Sequence, residues 1–377
     1  AIIGITKYDT LALAIAAVPT DGTKTTIKLL RDTTESITVA KGKNIEFNLQ
    51  NYTINHSSAN VIINNGTIKI TNGTIRSTAT ANGAINNNQY ATLTMTGGSM
   101  TSKNNTIHFG TDSSNGRTFN MTGGRIVSEN GYGIYSNDVD NVISVNSSVG
   151  TLPEKYSRIE GATSGIYLNK VGNAKIDRAT VIGNTNYGVY TNGTTTFGNI
   201  EDSVSVTYPL IQGADTGLYI NSGTTNIYDG IYKGKENGYY GFISGFPDAY
   251  SIVSGTELIN NETYKTNYLE EHENYVRVKS TGVEYNSLQR AINAIEETDT
   301  IEVLASHDVK TETVVPSGKN ITIDFQNNTL SMTKKIINIG ELTLTDTIGE
   351  GTGGISNTVD CAITTNNKLT INKGNYT

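Results

Sequence analysis

Short apolar groups alternate with polar residues along most of this chain, in the order apolar, x, apolar, x, x, Gly, x, apolar. The pattern reads "IKITNGTI" (68–75), "LTMTGGSM" (93–100), "FNMTGGRI" (119–126) and "LTINKGNY" (369–376), with looser copies in "AKIDRATV" (174–181) and "TNIYDGIY" (225–232). Alternation of period two is the signature of a half-buried strand, and a Gly between two such pairs supplies the positive φ of a sharp corner. From Ile70 to Met95 is 25 residues, Met95 to Met121 26, Met121 to Ile176 55 and Ile176 to Ile227 51. The last two steps are near twice the first two, so a period of about 26 runs from about residue 45 to about 250. A second short strand recurs between the copies, as "GIY" (133–135 and 165–167), "GVY" (188–190), "GLY" (217–219) and "GFI" (241–243). Three short strands and three corners fit one such period. No single turn can bury its apolar side, but turns stacked about 4.8 Å apart pair in parallel and hide it in a common column. The expected fold is all-β, a right-handed parallel β-helix with Ile70, Met95 and Met121 piled on one another; the hand follows from the handedness of parallel crossovers.

A longer repeat lies over the short one. "GKNIEFNLQNYTI" (42–54) returns as "GKNITIDFQNNTL" (318–330), "YDTLALAIAAV" (8–18) as "YNSLQRAINAI" (285–295), and "TIKLLRD" (26–32) as "TIEVLASHD" (300–308). In both copies Leu11, Ala14, Ile15 and Val18, or Leu288, Ala291, Ile292 and Ile295, mark one face of a short helix, with Asp9 and Asn286 at the N-cap position. Such a helix, over about 9–18 and about 286–297, would cover the open end of a coil against edge-to-edge association. Ile45, Phe47 and Leu49, like Ile321, Ile323 and Phe325, would then begin each coil. The expected organisation is one unit over 1–275, with rungs over about 26–253 and a more charged closing segment and linker over about 254–280. The start of a second, incomplete unit occupies 281–377. Lys41, Lys43 and Lys319 are expected at corners with solvated heads.

Composition narrows the partners. Only 17% of residues are charged, against about 25% in typical domains, and the net charge of −7 comes without any Lys/Arg cluster. The phosphate backbone of a nucleic acid would be repelled. The one cysteine, Cys361, permits neither an internal disulfide nor a cysteine metal site. No apolar run reaches the roughly 18–20 residues of a membrane span. The start "AIIGITKYDT" lacks the pattern of a signal peptide, so a mature form or an excised fragment is expected.

The order Tyr-x-x-Leu-x-x-Ala-Ile, Thr-Ile-x-x-Leu-x-x-Asp, Gly-Lys-Asn-Ile and Gln-Asn-x-Thr-Ile/Leu resembles the pectate-lyase-like β-helix modules of bacterial cell-surface proteins, above all adhesin-like proteins of Gram-positive bacteria. The resemblance covers both unit starts well and the middle by rhythm. It implies the β-helix fold; modules of this kind serve both enzymes and non-catalytic surface proteins.

Cleavage of a polysaccharide calls for carboxylates gathered on one outer face. Asp138 and Asp140 in "SNDVDN" would point the same way on a strand, about 6.6 Å apart, and Asp177, Arg178, Glu201, Asp202 and Asp229 would lie on neighbouring rungs. A solvated loop pair explains 138 and 140 equally well. The succession of motifs expected of polygalacturonase-like enzymes is missing, and His56, His108, His272 and His307, far apart in the chain, read as surface or turn residues. "TGGSMTS" and "TGGRIVS" lack the Asp of calcium-binding β-rolls, so neither metal nor cofactor is implied. The most aromatic segment, 227–250, offers Tyr228, Tyr232, Tyr239, Tyr240, Phe242, Phe246 and Tyr250 as a platform for sugar rings; the other reading is that some fill the coil and the rest cover its flank. The expected function is a non-enzymatic, extracellular module of a larger bacterial surface protein, an adhesin or stalk toward glycan or a host or neighbour-cell protein. The alternatives are a lyase or hydrolase acting on uronic-acid-type glycan, and a self-assembling filament or sheath subunit that associates end to end.

Overall fold

A computed structural model of residues 1–377 describes the chain except 82, 110–115, 148–154, 200–206, 248, 349–350 and 359–360. Strand accounts for 55% of the described residues and helix for 4%, so helices can serve only as caps on what is a parallel β-solenoid of about 14 turns. Two compact units are distinguished: Ala1–Ser244 with Ile252–Leu269, and Gly245–Ser251 with Glu270–Thr377.

In the first unit each turn contributes one strand to each of three faces. The first face stacks Lys24–Lys28, 44–48, 67–70, Thr92–Met95, Thr118–Met121, Val142–Asn146, 173–177, 195–197 and Thr225–Ile227, all parallel. Ile70 pairs with Met95 and Met95 with Met121, and all three are fully buried. The column runs on through Val145, Ile176, Phe197 and Ile227. Val145 and Phe197 divide the two steps that look double in the sequence, because their turns lack the Gly-marked signature while keeping its alternation. The second face carries Ser99–Ser102, Arg125–Ser128 and Ser157–Gly161 among others. The third carries Ile62–Asn64, Ile85–Asn87, Ile107–Phe109, Ile134–Asn137, 166–168, 187–191, Thr216–Ser222 and Asn237–Tyr240.

Polar residues also point inward, and stacking satisfies them. Asn64 Nδ2 donates to Asn87 Oδ1 at 2.7 Å, both side chains fully buried. A buried amide without a partner would be costly, and the next turn supplies one. At the far end, an Asn260–Asn261 turn with positive φ at both positions reverses the chain. Residues 265–268 then pair antiparallel with 231–234 and close that edge.

The second unit repeats the plan over fewer turns. Thr298–Val303, Asn320–Asp324, Glu341–Thr345 and Leu369–Ile371 form its first face, with Ile301, Ile323 and Leu344 in a buried column. Shorter parallel sheets through Thr329–Met332 and Ile336–Asn338 form the other two. The duplicated Gln-Asn pair now has a reason. Gln50 and Asn51, at φ 52° and 67°, and Gln326 and Asn327, at 50° and 66°, make the same left-handed corner after the second strand of the first face.

Both caps are helices. α1 (Leu11–Ala16) buries Leu11, Ala14 and Ile15, and α2 (Leu288–Ala294) buries Leu288, Ala291 and Ile292. The N-caps fall one residue beyond Asp9 and Asn286. Thr10 and Ser287 are the extended residues whose hydroxyls accept from Leu13 N at 3.1 Å and Arg290 N at 3.2 Å. The Glu35 carboxylate takes Leu11 N and Ala12 N at 2.8 and 2.9 Å. Lys43 closes the other end and is not a solvated corner. It is 9% exposed, and its Nζ donates to Ile15 O, Ala16 O and Val18 O at 2.7, 3.1 and 2.6 Å. Lys319 donates to the equivalent Ile292 O, Asn293 O and Ile295 O. An ammonium with three donors matches the last carbonyls and the negative end of a helix that has no basic residue in its own last turn. Lys43→Met is expected to lower unfolding stability by about 2–3 kcal/mol, since charged hydrogen bonds are lost and carbonyls stranded. Lys41→Met, which removes only an ammonium 4.9 Å above the Tyr90 ring, is expected to cost under about 1 kcal/mol. Urea denaturation followed by far-ultraviolet circular dichroism distinguishes the two.

Candidate functional site

Register decides what the third face shows to solvent. Inward Ile107, Ile134, Ile166, Val189 and Leu218 stack in the core. The next residue on each strand points outward and stacks as well: His108 pairs with Tyr135, then Tyr167, Tyr190, Tyr219 and Tyr240 follow, one per turn. The repeated "GIY", "GVY" and "GLY" thus write an external column of rings. Centroids along it are 5.4, 5.8, 4.4, 5.6 and 5.1 Å apart, with interplanar angles of 28°, 4°, 9°, 9° and 25°. Tyr132 and Tyr187, each three residues earlier, lean on it, at 4.7 Å from Tyr167 and Tyr219 respectively. Each such pair contributes about 0.5–1.5 kcal/mol beyond the area it buries.

The stacking also limits the column chemically. An interior ring has a neighbour on both faces, so it offers solvent only its edge and its hydroxyl. Burial, and secondarily the neighbouring phenols, raise Tyr132, Tyr167 and Tyr187 above the ordinary tyrosine value, and burial raises Tyr190 despite a hydrogen bond from Tyr167 that opposes the shift. His108 is shifted down, first by burial and then by the Arg117 charge.

Tyr240 ends the column and is 53% exposed. Tyr219 lies on one face of its ring, and no ring contact occupies the other among the described residues. Tyr239 and Tyr240 line an open cleft of 640 Å³, which Ser254, Thr256 and Lys265 of the closing hairpin also line. Asn267 fixes that hairpin, accepting from Tyr239 N at 3.1 Å and donating to Ser254 Oγ at 2.8 Å.

Of the other aromatic candidates, Tyr232 is removed. It is 1% exposed, packs edge-on to Phe197 and donates its hydroxyl to Asp229 O at 2.8 Å, so it belongs to the core. Tyr228, Phe246 and Tyr250 are half-buried, and Phe242 is 72% exposed.

The carboxylates do not share a face. Asp138 and Asp140 sit in a turn, not on a strand: Asp138 is buried, while Asp140 is exposed. Asp138 Oδ2 meets Arg117 at 2.6 Å with both side chains 1% exposed, and Asp138 Oδ1 accepts Asp140 N at 3.3 Å. Losing one partner of such a buried pair costs about 3–5 kcal/mol, which makes Asp138 an internal strut. Asp177 is the last residue of the first-face strand 173–177 and Asp229 stands just past Thr225–Ile227, both away from the third-face turn of Asp138 and both buried. Asp177 accepts Arg178 N at 2.8 Å and pairs with the Arg178 guanidinium at 3.3 Å. Glu201 and Asp202 lie outside the described residues. No group of three or more His, Cys, Asp or Glu able to hold a metal occurs among the described residues.

The histidines are less scattered than their spacing suggests. His56 holds a turn, accepting at Nδ1 from Ala59 N at 3.1 Å. In the second unit, however, His272 and His307 pack with centroids 4.4 Å apart, and Tyr275 stacks 3.9 Å from His307. His272 Nε2 lies 2.6 Å from Ser251 Oγ. Val276–Val278 pairs antiparallel with 301–303, and Leu304 N donates to Tyr275 O at 2.8 Å, so 272–275 lie beside 304–307 and linear distance hides this cluster. A hydroxyl beside an imidazole has the geometry of a nucleophile and base. Here the rings lead to Tyr275, whose hydroxyl accepts Leu288 N at 2.9 Å and so helps to start α2.

No family model, curated protein or solved structure matches this chain. The site is therefore read from its own geometry. The raised tyrosines are neutral in the folded chain where an unfolded chain would ionise. Their contribution to stability is whole below about pH 10 and is lost as pH climbs through the folded values. Alkaline titration followed by phenolate absorbance is expected to show a late-ionising group that titrates with loss of structure. Changing Tyr132, Tyr167, Tyr187 and Tyr190 to Phe should shrink that group and make the alkaline fall in stability shallower, leaving Tyr232 and Tyr376, which burial also raises, as the late phenols that remain.

Proposed function

We propose that this chain is a non-catalytic, extracellular module of a larger bacterial surface protein, a rigid β-solenoid stalk that binds glycan through its third face. The reading joins the resemblance of both unit starts to pectate-lyase-like surface modules with the chemistry that the coil presents to solvent. One observation carries it. The outer column of Tyr135, Tyr167, Tyr190, Tyr219 and Tyr240 displays ring edges and hydroxyls at successive turns, while Asp138, Asp177 and Asp229 are buried. Phenols suit a ligand that is apolar on one side and hydroxylated on the other, as sugars are. Cleavage would need two carboxylates facing one groove, and here Asp138 and Asp177 serve internal hydrogen bonds and ion pairs.

The test exposes the whole chain to a glycan array and, in parallel, to the same glycans in reducing-sugar and unsaturated-product assays. Retention of a subset of glycans without product is expected. Release of product would overturn the reading in favour of an enzyme, and retention of no glycan would reduce the module to a stalk.

A further inference from the structure

The interior of the tyrosine column cannot stack on a sugar, because each ring face there is already covered by the ring of the next turn. The end of the column differs in three respects. Tyr240 has Tyr219 on one face only. It is more than half exposed. It also lines a 640 Å³ cleft, within the range of about 300–1,000 Å³ typical of small-ligand sites.

Charge then selects the ligand. Among the residues that line the cleft, Lys265 alone is charged. It is exposed on the closing hairpin, with no ion pair among the described residues. The other lysines nearby are engaged, Lys233 with Glu257 at 2.5 Å and Lys235 with Glu262 at 2.7 Å. In a chain of net charge −7, the ammonium of Lys265 is the one charge that lines the cleft it shares with Tyr240, and it suits an anion there. Asn237, Ser254 and Thr256 add short polar groups around the same space.

We propose that this cleft is a subsite for a carboxylate-bearing pyranose of a glycan, seated with its C–H face on Tyr240 and its carboxylate on Lys265. This rests on the glycan-binding reading above and deepens it, naming both the place and an acidic sugar class. The hairpin's role is thereby double: it closes the edge of the second face and brings a cation into the cleft that the last ring lines.

Binding of a trigalacturonate and of its neutral counterpart, galactotriose, is measured by isothermal titration calorimetry on the full chain. The same is done for Lys265→Met, Tyr240→Ala and Tyr240→Phe. The wild type is expected to prefer the acidic trisaccharide. Lys265→Met should weaken the acidic ligand about tenfold, the worth of one charged hydrogen bond, and leave the neutral one unchanged. Tyr240→Ala should weaken both and Tyr240→Phe neither, with circular dichroism unchanged in all three. Equal affinity of the wild type for the two ligands, or an acidic preference that survives Lys265→Met, would overturn the subsite. Glycans retained on the array by Tyr240→Ala as well as by the wild type would sink the subsite and leave the glycan-binding reading standing. No glycan retained by the wild type would sink both.

Discussion

Backbone pairing between successive turns governs everything else in this molecule. Parallel strands about 4.8 Å apart in register set each residue on its counterpart one turn away. A position that is apolar and inward becomes a column of the core, as from Phe47 through Ile70, Met95 and Met121. A position that is polar and inward must bond to its own kind, as Asn64 does with Asn87. A position that is aromatic and outward becomes a stack. The tyrosine column is thus the outer counterpart of the core, produced by the same register and supported by the same buried Ile, Val and Leu beneath it.

That constraint also explains what could be read in advance. Alternation and Gly-marked corners suffice for the fold class, because both express one turn's own geometry. The capping helices are legible from their i, i+3, i+4, i+7 faces. What connects turns is harder to see. Val145 and Phe197 hide in steps of doubled length because their turns lack the Gly signature. The N-caps lie at Thr10 and Ser287, one residue past the acidic and amide neighbours that resemble caps. Lys43 reads as a corner cation, yet its three carbonyl partners are 25–28 residues away.

The candidate site follows the same division. Tyr239 and Tyr240 could be chosen from an aromatic-rich segment, but Tyr232 in that segment faces inward, since it alternates with outward Ile231 and Lys233 on one strand. Asp138 and Asp140 look paired only while the segment is taken as a strand; as a turn it sends one inward to Arg117 and the other to solvent. The column itself was present in the sequence as "GIY", "GVY" and "GLY". Its meaning depends on stacking those triplets in register, and His272 with His307 depends likewise on a pairing the sequence does not show, the antiparallel one of Val276–Val278 with 301–303.

Register is accordingly the claim to test most directly. In a Cys361→Ser background, Thr94 and Asn120, which face each other on adjacent turns, are replaced together by cysteine, and Thr94 with Thr122 serves as the pair two residues out of step. Strand spacing of about 4.8 Å lies within the Cα separation of roughly 4.4–6.8 Å that a disulfide spans. Mass spectrometry after mild oxidation is expected to find a Thr94→Cys/Asn120→Cys disulfide and little or none from the offset pair. Efficient closure of the offset pair, or failure of the matched one, would contradict the stacking on which the core, the caps and the tyrosine column all rely.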